Sequence, residues 1–137
     1  PTIMDLNSID ISGSAGSLYI SLTDTDFTGA PSNLVASFGG VTDGSVDFSF
    51  LYDNNNAEFG GTAFATSTNN NGAFSDTIVG AAASSGPYSL TINAVVNHAG
   101  GTSATSFNAE INNVPLPASA WLFLAALGTL IGARSTR

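Results

Sequence analysis

Apolar residues recur at every second position through most of this chain, a period that suits strands with one buried face and does not suit amphipathic helices. Tyr88, Leu90, Ile92, Ala94 and Val96 alternate with Ser89, Thr91 and Asn93, and Phe107, Ala109 and Ile111 alternate with Ser106, Asn108 and Glu110. Upstream, Leu18, Ile20 and Leu22 alternate with Ser17, Tyr19 and Ser21, and Val46, Phe48 and Phe50 alternate with Asp47 and Ser49. Further strands are predicted around 9–11, 34–38, 59–66 and 74–79. Between the last two alternating runs lies Asn97-His98-Ala99-Gly100-Gly101. Its glycines permit positive φ, so those two strands are expected to form a hairpin. Asn71-Gly72 is expected to turn the chain between 59–66 and 74–79 in the same way. Roughly eight short strands with turn residues about every 8 to 12 positions predict an all-β, antiparallel β-sandwich, either jelly-roll-like or simpler.

The pattern stops sharply after Ile111. Residues 112–117 are an Asn and Pro linker in which each proline fixes its own φ and biases the preceding residue toward extended structure. From 118 to 133 only Ser119 and Thr129 are polar and none is charged. A helix of that size covers about 24 Å, near the lower edge of what crosses a bilayer. It is apolar on every face, whereas a helix packed on a sandwich needs a polar stripe, so a transmembrane helix is predicted. Trp121 then marks one interface, and Arg134 and Arg137, in the basic end 134–137, mark the cytoplasmic one. Residues 1–111 form the ectodomain. With Pro1 in place of an initiator Met and no leader-like segment, it is expected to be N-terminally incomplete.

Charge narrows the partners. The only two basic residues are Arg134 and Arg137, and all ten acidic residues lie between Asp5 and Glu110. A body without Lys or Arg cannot neutralise phosphates, which argues against nucleic acid and against charge-driven adhesion to anionic lipid. Neutral glycans and divalent cations remain. The absence of cysteine excludes disulfides and thiol chemistry.

Val114-Pro115-Leu116-Pro117-Ala118, followed by an apolar span and a short basic end, resembles the PEP-CTERM sorting signal in its VPLPA-CTERM variant. The match covers the last two dozen residues, including Pro117-Ala118-Ser119-Ala120-Trp121-Leu122-Phe123. This resemblance implies a substrate of an exosortase, a membrane enzyme of Gram-negative bacteria. It also implies export, an inner-membrane-anchored precursor, and then a place at the cell surface or in an exopolysaccharide matrix. The stretch from Gly86 to Ala109 also resembles the final hairpin of other such substrates.

A catalytic constellation is not apparent. His98 is the single histidine, and its place in the predicted hairpin loop makes it solvent-exposed. Gly13-Ser14-Ala15-Gly16-Ser17 lacks the spacing of a nucleophile elbow. Asp24 and Asp26 would share a strand face if the strand continued, but are better placed to end it. Asp53, Asn55 and Glu58 put oxygen ligands near alternate positions, as calcium loops do, without the glycine and bidentate Glu of an EF-hand. The competing reading is an Asx-rich turn. Tyr19 and Tyr52 are the aromatic side chains best placed for exposure and sugar stacking. Three functions follow in order: a non-enzymatic surface or matrix protein, a calcium-assisted glycan-binding module anchored at the envelope, and a secreted hydrolase.

Overall fold

In the computed structural model, residues 2–29, 33–82 and 86–113 are described. The expected sorting motif 114–118, the transmembrane helix 118–133 and the anchor residues Trp121, Arg134 and Arg137 lie outside them. The described residues form six antiparallel strands and no helix: β1 (Thr2–Ser12), β2 (Gly16–Phe27), β3 (Asn33–Asp53), β4 (Thr62–Ala81), β5 (Tyr88–His98) and β6 (Ser103–Asn113).

Six strands replace the expected eight because two pairs of alternating runs are continuous. The runs at 34–38 and 46–50 both belong to β3, and β4 starts at Thr62 rather than Phe59 and takes in the run at 74–79. β4 lies along nearly the whole of β3, from Asn33↔Ala81 to Tyr52↔Thr62. On its other side the first half of β3 pairs with β6 and the second half with β5. β1 then adds to β6, and β2 to β5.

The β3 hairpin is folded over on itself. Phe38 and Phe48 are ten positions apart, which would be about 33 Å along a straight strand, yet their ring centroids are 5.2 Å apart. Phe38 also stacks on Phe50 at 5.8 Å. The bend falls where the β3–β4 register shifts between Thr42 and Ser45, leaving Asp43 and Gly44 opposite Asn71. Asn71 (φ 25) and Gly72 (φ 107) supply the positive φ of the corner in β4. The predicted turn residues therefore bend a strand pair instead of joining two strands as a hairpin.

Two facing layers result. One holds β1, β6, the first half of β3 and the second half of β4. The other holds β2, β5 and the remaining halves. The inward parity supplies the core, with Leu34, Ala36, Phe38, Val46, Phe48, Phe50, Leu90, Ile92, Val96, Phe107, Ala109 and Ile111 all buried. Phe48 meets Phe107 of the opposite layer edge-on at 5.1 Å.

The expected hairpin between β5 and β6 does not form. Both edges of each strand are occupied by other strands, so the 99–102 link crosses from one layer to the other.

Candidate functional site

The outer face of the β1–β6–β3–β4 layer carries a trough. Because the four strands are in register, their outward residues line up in rows: Ile9, Ser106, Val41 and Ala73 in one, Asn7, Asn108, Gly39 and Ser75 in the next, and Asp5, Glu110, Ser37 and Thr77 beyond. Gly39 has no side chain to fill the middle row, and a Cβ there would crowd the Ser75 Cβ and the Phe74 carbonyl at 3.3 Å. A trough of about 610 Å³ there is lined by Asn7, Ile9, Gly39, Ser106 and Asn108. A shallower depression of about 440 Å³ adjoins it through Asn108 and reaches Ser37, Thr77 and Glu110.

This surface combines apolar and hydrogen-bonding character. Ile9, in the trough, is 77 % exposed beside two carboxamides and a hydroxyl, and Val41, beyond Ser106 in the same row, is 51 % exposed. The Asn7 amide donates to Asp5 Oδ1 at 3.1 Å, and the Asn108 amide donates to Glu110 Oε1 at 2.9 Å. Glu110 Oε2 accepts a further bond from Asn112 at 3.2 Å. The Asn108 Oδ1 is shielded from water and has no hydrogen-bond partner. An orphaned acceptor of this kind costs about 1–3 kcal/mol.

The sequence had marked Ser106, Asn108 and Glu110 as the outward parity of their strand. It could not show that β1 and the first half of β3 would flank them. Asn7, Ile9 and Gly39 were missed for that reason.

The residues singled out from the sequence lie elsewhere. His98 is not a loop residue: it ends β5 and is 5 % exposed. The folded corner of β3 and the β1 and β6 ends close over it. Its Nδ1 lies 2.6 Å from Ser12 Oγ and 3.7 Å from Asp10 Oδ2, and its Nε2 lies 2.9 Å from Thr105 Oγ1. Thr105 in turn meets Thr42 Oγ1 at 2.7 Å. Ser12 and Asp10 face the same ring nitrogen, whereas a nucleophile and an orienting acid need opposite ones, and the hydroxyl on the opposite nitrogen, Thr105, is 1 % exposed and out of reach of a substrate. The group is therefore a structural polar cluster.

Asp53 is buried, and its Oδ1 accepts the Asn55 backbone N–H at 2.8 Å in an Asx turn closed by Asn56 N–H to Asp53 O at 3.3 Å. Glu58 is exposed. No group of three or more His, Cys, Asp or Glu side chains converges among the described residues. Asp24 and Asp26 both fall within β2, but a register irregularity separates them. Asp26, at φ 63, exchanges two bonds with the Asn56 side chain at 2.7 and 2.8 Å. Tyr19 is 76 % exposed on edge strand β2, as expected. Tyr52 is only half-exposed, packed 5.3 Å from Tyr88 with its hydroxyl donating to Asn54.

No protein-family model matches the chain, and no curated protein matches it either. Among solved structures it is similar to TmCBM61 in complex with β-1,4-galactotriose, with a TM-score of 0.52 and 10 % identity over 79 % of this chain and 70 % of that one. It also matches the carbohydrate-binding module CBM36 in complex with calcium and xylotriose, with a TM-score of 0.42 and 16 % identity over 80 % of this chain and 100 % of that one. At such identity the first likeness establishes a shared all-β antiparallel fold.

Proposed function

We propose that residues 1–113 are a non-catalytic glycan-binding domain of an exported surface protein, and that the tail is an exosortase-processed sorting signal. The observation that carries the binding reading is the trough of the β1–β6–β3–β4 face. There the exposed Ile9 side chain stands beside the amides of Asn7 and Asn108 and the Ser106 hydroxyl, with Val41 exposed in the same row beyond Ser106. A sugar ring has the same two characters, C–H faces that leave water for apolar side chains and hydroxyls that need hydrogen-bond partners. The TmCBM61 ligand makes β-1,4-galactan a reasonable first polysaccharide to try.

The sorting reading rests on the resemblance of 114–118 and the apolar span behind it, and an exopolysaccharide matrix is the partner it brings. Intact mass of the protein recovered from envelope and medium tests it, with loss of the tail near Pro117 expected. A tail left uncut and found only in the membrane would reduce 114–137 to an anchor.

Native gels cast with individual neutral polysaccharides test the binding reading. The full chain in mild detergent is expected to be retarded by at least one polymer, and Asn7→Ala is expected to weaken that retardation. Free migration through every polymer would sink the reading. The same gels with calcium or with EDTA decide whether Asp53, Asn55 and Glu58 assist: a calcium-dependent rise in thermal midpoint together with tighter binding identifies a calcium-assisted module.

A further inference from the structure

Resting on the glycan reading above for the kind of ligand, we infer that the outer face of the β2–β5–β3–β4 layer carries a binding site of its own for neutral polysaccharide, centred on Tyr19. The two layers face each other, so this surface points away from the trough and both can be filled at once. Tyr19 is in register with Val95, and Val95 with Asp47, across the sheet. The Tyr19 side chain is 76 % exposed and touches no other aromatic ring among the described residues. An aromatic face left open in this way takes the C–H side of a sugar ring out of water.

The rows on either side of Tyr19 supply hydrogen bonds. In one, Ser17 Oγ donates to Asn97 Oδ1 at 2.6 Å, and the Asn97 amide donates to Ser45 Oγ at 3.3 Å. In the other, Ser21 Oγ donates to Asn93 Oδ1 at 2.5 Å, with Ser49 in register beyond. The serine hydroxyl orients each carboxamide by occupying its carbonyl end. Asn93 Nδ2 donates to nothing among the described residues, and it is open to water, because the one buried side-chain atom left without a partner there is Asn108 Oδ1. It is therefore an oriented donor that a ligand hydroxyl can reach, and Ser21 Oγ beside it keeps acceptor capacity. The two rows lie four residues apart on β2, about 13 Å along the strand, which spans the sugar on Tyr19 and the unit on each side of it. Asp47 is the only charged residue in these three rows of β2, β5 and β3. A face of hydroxyls, carboxamides and one open phenol ring matches an uncharged polyhydroxy chain and offers no Lys or Arg to an anionic one.

The test titrates the full chain, in mild detergent with EDTA present, with short oligosaccharides of β-1,4-galactan, xylan and cellulose. At least one sugar is expected to fill two sites per chain. Tyr19→Ala is expected to weaken one of them at least tenfold with an unchanged thermal midpoint, because the side chain is exposed. Tyr19→Phe keeps the ring and is expected to keep the site. Binding that Tyr19→Ala leaves unchanged overturns the inference, and Asn7→Ala then still tests the trough. A single site that Tyr19→Ala removes and Asn7→Ala spares supports the site on this face and overturns the trough instead. Failure of every sugar overturns the two together.

Asn93→Asp probes the donor separately. The carboxylate still accepts from Ser21 Oγ but has no amide hydrogens, so affinity at the Tyr19 site is expected to fall at least threefold. Wild-type affinity in this variant would overturn the donor role of Asn93. In a Tyr19→Ala background the same substitution is expected to have no further effect, and an equal loss there would make Asn93 a structural residue and remove it from the site.

Discussion

The Gly44 backbone N–H donates to Thr42 Oγ1 at 3.1 Å, and that bond sets the direction of the protons that follow. Thr42 and Thr105 are both almost fully buried, so the Thr42 hydroxyl proton goes to Thr105 and the Thr105 proton to His98 Nε2. In the neutral ring Nδ1 then carries the hydrogen, facing Ser12 Oγ and Asp10. Nitrogen-15 shifts of the imidazole are expected to report the Nδ1–H tautomer, and the Nε2–H form would contradict the proton order. His98→Phe puts a larger ring without nitrogens in a buried site and orphans buried hydroxyls, so denaturant unfolding should show a loss of about 1–3 kcal/mol or more.

A second residue-scale consequence concerns Tyr88. Burial between Phe27 and Tyr52, helped by the electrostatic influence of Tyr52, raises its phenol above the usual value of 10.0. Above the unfolded value the unfolded chain binds fewer protons than the native one, so stability falls as pH rises. The contribution of Tyr88 is complete below pH 10 and is lost as pH climbs through the raised folded value. Tyr88→Phe should flatten the alkaline limb of a stability–pH curve, and an unchanged limb would refute the assignment.

At the scale of elements the corner of β3 is the decisive piece. A Cβ on Gly44 would run into the Asn97 carbonyl, and one on Gly40 into the Ser106 carbonyl and the Phe107 Cα. Those neighbours are backbone and cannot move aside cheaply. Gly40→Ala and Gly44→Ala are expected to cost about 1–3 kcal/mol or more, while Gly13→Ala, with nothing within 4 Å of its Cβ, is the neutral control. Equal thermal midpoints for all three would remove the argument. The Asn71-Gly72 signal was legible as positive φ. Whether such residues reverse a chain or bend a strand depends on what each flank pairs with, and that pairing is long-range.

Across the whole molecule the aromatic core joins the two layers, since Phe48 touches Phe38, Phe50, Phe74 and Phe107. Phe48→Ala should cost about 3–5 kcal/mol, as expected for a large buried ring. Phe59→Ala, in an exposed turn, should cost far less. Similar losses at both positions, measured by denaturant unfolding, would contradict a core centred on the folded hairpin. The alternation of apolar and polar residues determined by itself that the body is antiparallel β with Phe48, Phe50, Leu90, Ile92, Phe107 and Ile111 inside, because a period of two puts every second side chain on one face whatever its partner. Composition by itself determined that the body has no Lys or Arg. Only the tertiary structure decided that two runs are one bent strand, that β5 and β6 lie in opposite layers, that His98 is buried, and that Asn7, Gly39 and Asn108 meet in one trough. Each of those depends on which distant strand fills an edge, and the local period is blind to that choice.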